Sequence, residues 1–485
     1  MQVQAARRGA SCAIFFRSIS ANCREAWFLI IPATRLHALP RTSTPQITLS
    51  EATDTDLAAP FDSHLPIRPD CHFQVWVPYQ VAMVSGSGSE ILLPSALDAA
   101  EEQRRDSIAS FLSVGPFDTL NGRYRPFRKL GEGQHAAVWL ARDTTESQYV
   151  AIKIGVYWML KEQGRELCIL QRIKDHFIPS HPGSHHVLEL KDAFRHQGPR
   201  GTHACLVSEP LGRRLVDALL EFEPKRHAPY PFTRKVAIQT LQALDYLHQL
   251  DIMHGDIHLG NLVLRLTHNI NTDSEANIRA KNEKGNELER AGEEFHLDDQ
   301  TVMSDTEPSN ASIVLIDLGA AITPADSPNF NYAYPLAYRA PEVVVGAAAN
   351  LKADIWALGC AIYRIVSGQV LYPIEGWGGP EATAIEQLYC FIEMLGPMAE
   401  SVRALWADAD SHVAADGTLL RPFPEDEREL PLDESIRDVR PGGMGDDELE
   451  AFVEFMGLMM RFDPAERKST SEILRHRWVT DFGME

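Results

Sequence analysis

Residues 254–261 read HGDIHLGN, and this stretch decides what the rest of the chain is built to do. Asp256 and Asn261, five positions apart and following His254, supply a base and an oxygen ligand for a metal beside a phosphate. Two apolar runs sit around them. NLVLRL (261–266) follows directly, and SIVLIDLG (312–319) carries Asp317 at the end of a second buried strand. Alone, Asp317 reads as a turn former. Paired with Asn261 it makes two oxygen ligands suited to Mg²⁺, which keeps several waters and binds few protein groups.

Upstream, YRPFRKLGEG (124–133), AAVWLARD (136–143) and YVAIKIG (149–155) predict three short strands, with a glycine-containing turn between the first two. That turn, LGEGQHAAV (130–138), spells Leu130, Gly131, Glu132, Gly133, Ala136 and Val138, a backbone suited to approach phosphates but by itself common in hairpins. In VAIK (150–153), Ala151 and Ile152 place Lys153 in a buried strand, and a buried ammonium needs anionic partners. The run EQGRELCILQRI (162–173) has Leu167, Ile169, Leu170 and Ile173 near helical spacing and offers Glu166, with Glu162 as runner-up. HACLVSEPLG (203–212) predicts a strand entering a Pro/Gly hinge, and FTRKVAIQTLQALDYLHQL (232–250) a long amphipathic helix. The order is a small β-rich lobe, a hinge, and a helical lobe.

Composition sets the bounds. The 485 residues, 44% hydrophobic and 23% charged, suffice for a large core, and no apolar run reaches the ~18–20 residues of a membrane-spanning helix. A net charge of −21 argues against direct nucleic-acid binding and suits either basic partners or simple solubility. Seven scattered cysteines, with no CxxC pair, read as reduced thiols of a cytoplasmic or nuclear protein. Residues 1–115 are expected to be a largely disordered extension. Its first fifty residues are Arg-rich with the single acid Glu25, a composition shared by transit peptides, unstructured tails and misplaced gene starts. Residues 267–311 are polar, acidic and poor in aromatics, and are expected to be a disordered insertion in a loop between two strands.

Farther on, YRAPEVVVG (338–346), DIWALGC (354–360) and DPAERKS (463–469) complete an ordered set. With the Gly-rich loop, VAIK, Glu166, HGD–Asn261 and DLG, the chain resembles a eukaryotic protein kinase over roughly residues 120–480. Within that superfamily it is similar to the SR-protein kinases, which phosphorylate serine in Arg/Ser repeats of splicing factors. DLG in place of DFG, Gly255 after His254, the position of the insertion, LRHRWV (474–479) and the hinge SEPLG carry this likeness.

The resemblance implies a two-lobed α+β kinase fold, with a small lobe over 116–210 and a large lobe over 211–485. It implies transfer of the γ-phosphoryl of Mg·ATP to protein serine or threonine by a monomer acting in mRNA splicing and signalling. Lys153 would hold the α/β-phosphates and Glu166 would hold Lys153. Asp256 would be the base, Asn261 and Asp317 the Mg²⁺ ligands. Leu130, Gly131, Glu132, Gly133, Val138, Ala151, Glu209 and Leu211 would surround the nucleotide, with Ser208 as gatekeeper.

Three departures matter. Ala136 replaces the third loop glycine. His258 stands where most protein kinases have a lysine, giving a partly charged group at the γ-phosphate and a spelling similar to aminoglycoside and choline phosphotransferases; a small-molecule kinase is therefore an alternative, and an ATP-binding pseudokinase a second. Gly255 replaces the arginine that anchors a phosphorylated activation loop, so the segment from Asp317 to Glu342 is expected to be ordered without phosphate, with Tyr332, Tyr334 and Tyr338 available to pack. Residues 406–450, rich in acids including Glu425, Asp426 and Glu427, lie where the family carries an insert that helps dock Arg-rich peptide.

Overall fold

The chain divides into residues 1–105 and 106–485, and antiparallel strands form in both parts. The computed structural model describes residues 111–485 apart from 116–117, 221–227, 275–277, 279–310, 324–332, 375–378, 425–427 and 483–485, and, of the first part, the backbone of five strands. Those are Gln2–Arg8 (β1), Ser11–Arg17 (β2) and Trp27–Pro32 (β3), paired in that order, and the hairpin Phe73–Val77 (β4) with Gln80–Val84 (β5). The expectation of irregular structure before residue 115 therefore gives way at these strands; residues 111–115 carry neither helix nor strand, and the rest of it falls outside the described residues.

In the second part, Tyr124–Glu132 (β6), Ala136–Asp143 (β7), Gln148–Gly155 (β8), Asp192–Gln197 (β9) and Thr202–Ser208 (β10) form an antiparallel sheet of order β6-β7-β8-β10-β9. Of these, β9 was not foreseen, because KDAFRHQ lacks a continuous apolar pattern; its pairing with β10 fixes it. On β8, Val150, Ile152 and Ile154 join Tyr124, Ala141, Cys205 and Val207 in one small core. Ala151 and Lys153, one residue out of phase, line the cavity on the opposite face. Helix α1 (Leu160–Asp175) buries Ile169, Leu170 and Ile173 in the large lobe's core, while Gln163 and Glu166 are buried toward the small lobe, at the Val156 carbonyl and at Lys153.

The large lobe is built around α2 (Leu215–Leu220), α3 (Tyr230–Gln249), α4 (Pro341–Val344), α5 (Leu351–Ser367) and α6 (Pro380–Leu395). Nearly every residue of α5 is buried, which its sequence, apolar around the whole circumference, requires. Trp356 stacks on Tyr372 at 5.6 Å and meets Phe391 edge-on at 4.9 Å. The hairpin of Leu262–Leu264 (β11) and Ile313–Leu315 (β12) carries the insertion. This is the two-lobed α+β architecture.

The insertion needs a correction. Its first residues are docked on the small lobe: Ile270 and Ile278 are buried with Leu140 and Tyr149, and Asn271 Oδ1 accepts the Tyr149 N–H at 2.6 Å. Two isoleucines among polar residues provide enough apolar surface to seat this piece. Residues 279–310 lie outside the described set. The acidic stretch 406–450 is likewise partly helical, with Val413, Ile436 and Met444 buried and Asp410 and Asp446 paired with Arg403 and Arg440; Glu425, Asp426 and Glu427 lie outside the described residues.

One buried ion pair closes the large lobe. Arg467 donates Nη1 and Nη2 to the two carboxylate oxygens of Glu342, each at 2.7 Å, and its remaining donors reach the carbonyls of Lys352, Phe462 and Arg461. Its guanidinium also lies 5.1 Å from the centre of the Trp356 ring. Replacing it leaves a buried carboxylate unpaired, so Arg467→Met is expected to lower stability by about 3–5 kcal/mol, read from the denaturant midpoint at unchanged m-value.

Candidate active site

The cleft between sheet and helices is organised by Lys153. Its Nζ lies 2.7 and 3.0 Å from the Glu166 carboxylate oxygens and 2.8 Å from Asp317 Oδ1. Strand β8 aims the lysine into the cleft, and the buried face of α1 brings Glu166 to it; Glu162, one turn earlier, lines the cavity without joining the pair. Burial would pull the Lys153 pKa down, but the two carboxylates outweigh it and hold the group above the ordinary lysine value, so it is an ammonium. Burial, joined by the neighbouring Asp317 charge, holds the Glu166 pKa above the ordinary glutamate value despite Lys153. At Asp317 desolvation in the cleft also raises the pKa, and there Lys153 prevails, leaving it below the usual aspartate value. Asp317 adopts a left-handed backbone (φ 62°) and caps the turn Leu318–Ala320 by accepting the Gly319 N–H.

The catalytic-loop residues are positioned by a carboxylate whose role the sequence did not reveal. Asp354 of α5, with no exposed surface, accepts from His254 N at 2.7 Å, Gly255 N at 3.0 Å and the Tyr334 hydroxyl at 2.6 Å, and lies 3.2 Å from His248 Nε2. Burial alone would raise its pKa; His248 above all, with His254 and the Tyr334 hydroxyl, reverses the shift and holds it below the usual aspartate value. Gly255 sits at φ 77°, and a Cβ there would stand 2.5 Å from the Ala320 carbonyl oxygen. No side chain fits. His254 is buried, its pKa lowered by that burial, and bridges the Ile316 carbonyl and the Asp256 N–H.

Asn261 donates Nδ2 to the Asp256 carbonyl at 2.9 Å and to Asp256 Oδ2 at 3.0 Å. Asp256 Oδ1 is buried and, among the described residues, has no hydrogen-bond partner. Asp256 lines the cleft and its side chain is partly exposed there, where an incoming hydroxyl would meet it. The His258 Nδ1 accepts the Gly260 N–H at 3.0 Å, which leaves Nε2 3.5 Å from Asp256 Oδ2.

A cavity of about 570 Å³ spans the cleft, lined by Leu130, Gly131, Gly133, Val138, Ala151, Lys153, Glu166, Ser208, Glu209, Leu211, Asp256 and Asp317 among others. Three of the residues expected at the site do not line it. Glu132 turns its carboxylate to Lys129, while Asn261 and His258 reach the cavity through Asp256. At the hinge, Arg265 pairs with the Glu209 carboxylate and also donates to the His185 carbonyl at 2.6 Å, a link between hinge, β11 and the loop after α1 that no motif announced.

A family model described as the protein kinase domain matches residues 124–282 and 294–479, and the chain belongs to that family. It is similar to a serine/threonine protein kinase of Aspergillus fumigatus, 28% identical over 396 residues that cover 79% of this chain and 92% of that one. It is also similar to the serine/threonine-protein kinases SRPK of Physarum polycephalum and AFC1 of Arabidopsis thaliana. Each is 25% identical, covering 75% of this chain and 87% and 72% of theirs. The protein is a serine/threonine protein kinase of this SRPK-like group, and the small-molecule reading of HGDIHLGN gives way.

A kinase of this family uses ATP and a divalent metal. No group of three or more His, Cys, Asp or Glu side chains converges among the described residues. The donor set is instead two oxygens, from Asn261 just before β11 and Asp317 just after β12, held together by the Ile316 N–H to Asn261 carbonyl bond of 2.9 Å. That set fits a metal completing its shell with water and phosphate oxygens. At Gly255, alanine would combine a disfavoured backbone with the Ala320 contact. Gly255→Ala is expected to lower stability by about 1–3 kcal/mol and to reduce turnover, measured by thermal unfolding and a phosphotransfer assay.

Proposed function

We propose that this protein transfers the γ-phosphoryl of Mg·ATP to serine or threonine in basic, Arg/Ser-rich protein segments, as a monomer of the cytoplasm and nucleus with a role in mRNA splicing and signalling. The observation that carries the chemistry is the pairing of an ionised Lys153, clamped by Glu166 and Asp317, with an Asp256 that lines the same cleft. Support for a basic substrate comes from the net charge of −21, from exposed acids such as Asp408 and Asp447, and from the resemblance to SR-protein kinases.

In this reading Lys153 binds the α/β-phosphates while Glu166 fixes its position. Asp256 orients the substrate hydroxyl and accepts its proton, its carboxylate being held in place by Asn261. Asn261 and Asp317 hold Mg²⁺, which when bound neutralises phosphate charge. His258 presents Nε2 beside Asp256, and backbone at Glu209 and Leu211 meets the adenine. The loop at Gly131 and Gly133 covers the phosphates.

Asp256→Ala should lower turnover far more than tenfold, a barrier change well above about 1.4 kcal/mol, while nucleotide affinity stays near wild type. Lys153→Ala should lose both turnover and nucleotide affinity. Steady-state kinetics with parallel nucleotide titration checks both, and turnover of Asp256→Ala within tenfold of wild type would refute the role given to that residue.

Mapping the phosphosites made by purified protein in a cell lysate tests the substrate class, sites within Arg/Ser runs being the expected result. Binding of a long Arg/Ser peptide should also weaken steeply with salt, because exposed charge pairs are screened over about 8–10 Å near physiological ionic strength. Titrations at two or more salt concentrations read this directly, and a flat response rules out acidic docking.

A further inference from the structure

The catalytic loop and the substrate-facing end of the activation segment share one carboxylate. Tyr334, almost fully buried, donates its hydroxyl to Asp354 Oδ1 at 2.6 Å, the oxygen that also accepts the Gly255 N–H. Its own carbonyl accepts from Arg339 Nε at 2.9 Å, so the residue is fixed at both ends. The segment following it is tied down as well. Gln387 Nε2 donates to the Leu336 carbonyl at 2.5 Å, and the Tyr338 ring lies 6.1 Å from the His258 ring. On the other side of Tyr334, Ala333 lines the cleft cavity. Thus Tyr334 stands between the cleft and the platform beside His258, bonded to the group that holds the catalytic loop.

We propose that Tyr334 is a positioning residue: its bond to Asp354 registers residues 333–340 against Asp256 and so forms the binding surface for the protein substrate. This rests on the kinase reading of Asp256 given above. A basic side chain cannot take over the task from position 255, since a Cβ there would meet the Ala320 carbonyl oxygen at 2.5 Å. The bond therefore supplies internally the order that a phosphate–arginine contact would otherwise supply. Nucleotide binding is independent of it, because the Lys153–Glu166 pair lies on β8 and α1.

The test is Tyr334→Phe in the full chain, which keeps the ring and removes only the hydroxyl. Losing a buried hydrogen bond to a charged acceptor should shrink the fraction of molecules with an ordered platform, raising KM for protein substrate about tenfold or more. KM for ATP should stay within about twofold. A merely structural role would lower the active fraction, reducing kcat while leaving both KM values unchanged, and that pattern overturns the proposal. Phosphatase-treated wild type should keep its activity; loss of activity would show that a phosphate orders the segment, and would also overturn it.

Amide hydrogen exchange provides a readout independent of activity. Residues 333–340 should exchange faster in Tyr334→Phe, whereas β8 and α1 should not change. Unaltered protection at 333–340 refutes the positioning role even if the wild type phosphorylates no protein substrate, an outcome that would separately refute the proposed function.

Discussion

The Asp354 carboxylate, enclosed in the large lobe, is the constraint on which the site depends. Ionised carboxylates are costly to bury, and this one is tolerated because backbone and side-chain donors converge on it from the catalytic loop, α3 and the activation segment. The same donors are immobilised in return. With His254 N and Gly255 N fixed, the chain turns at a positive φ that only glycine adopts here without collision, and Asp256 emerges toward the cleft.

The second organising element is the Lys153 ammonium, which joins strand, helix and catalytic cleft through Glu166 and Asp317. Its charge is secured by those two acids against the desolvation that would remove it. The two centres are coupled through short backbone links: Asp317 comes two residues after β12, and Ile316 between them bonds both Asn261 and His254. A phosphate site and a hydroxyl site are thereby held together by main-chain geometry, with few flexible side chains between them.

Arg467 and Arg265 show two uses of a guanidinium. Arg467 is fully buried, bidentate to Glu342 and saturated by carbonyls, so it is a structural closure. Arg265 is partly exposed and ties Glu209 of the hinge to the loop after α1, where relative movement of the lobes would be felt. The first could be recognised from its place in DPAERKS; the second lies in an apolar run with no motif to mark it.

The sequence by itself determined the order of elements and the identity of the reactive groups, because both reside in short stretches. Period-two apolar patterns specify β6, β7 and β8, helical spacing specifies α1 and α3, and HGDIHLGN, VAIK and DLG keep their chemistry within a few residues. Tertiary structure decided what depends on partners far along the chain. It selected Glu166 over Glu162 for Lys153, turned Glu132 away toward Lys129, and turned His258 Nε2 toward Asp256. It seated Ile270 and Ile278 on the small lobe, and it gave Asp354 to His254, Gly255 and Tyr334. Spacing along a chain reports which residues share a local face; which of them meet across a hundred residues is set only when helices and sheet pack.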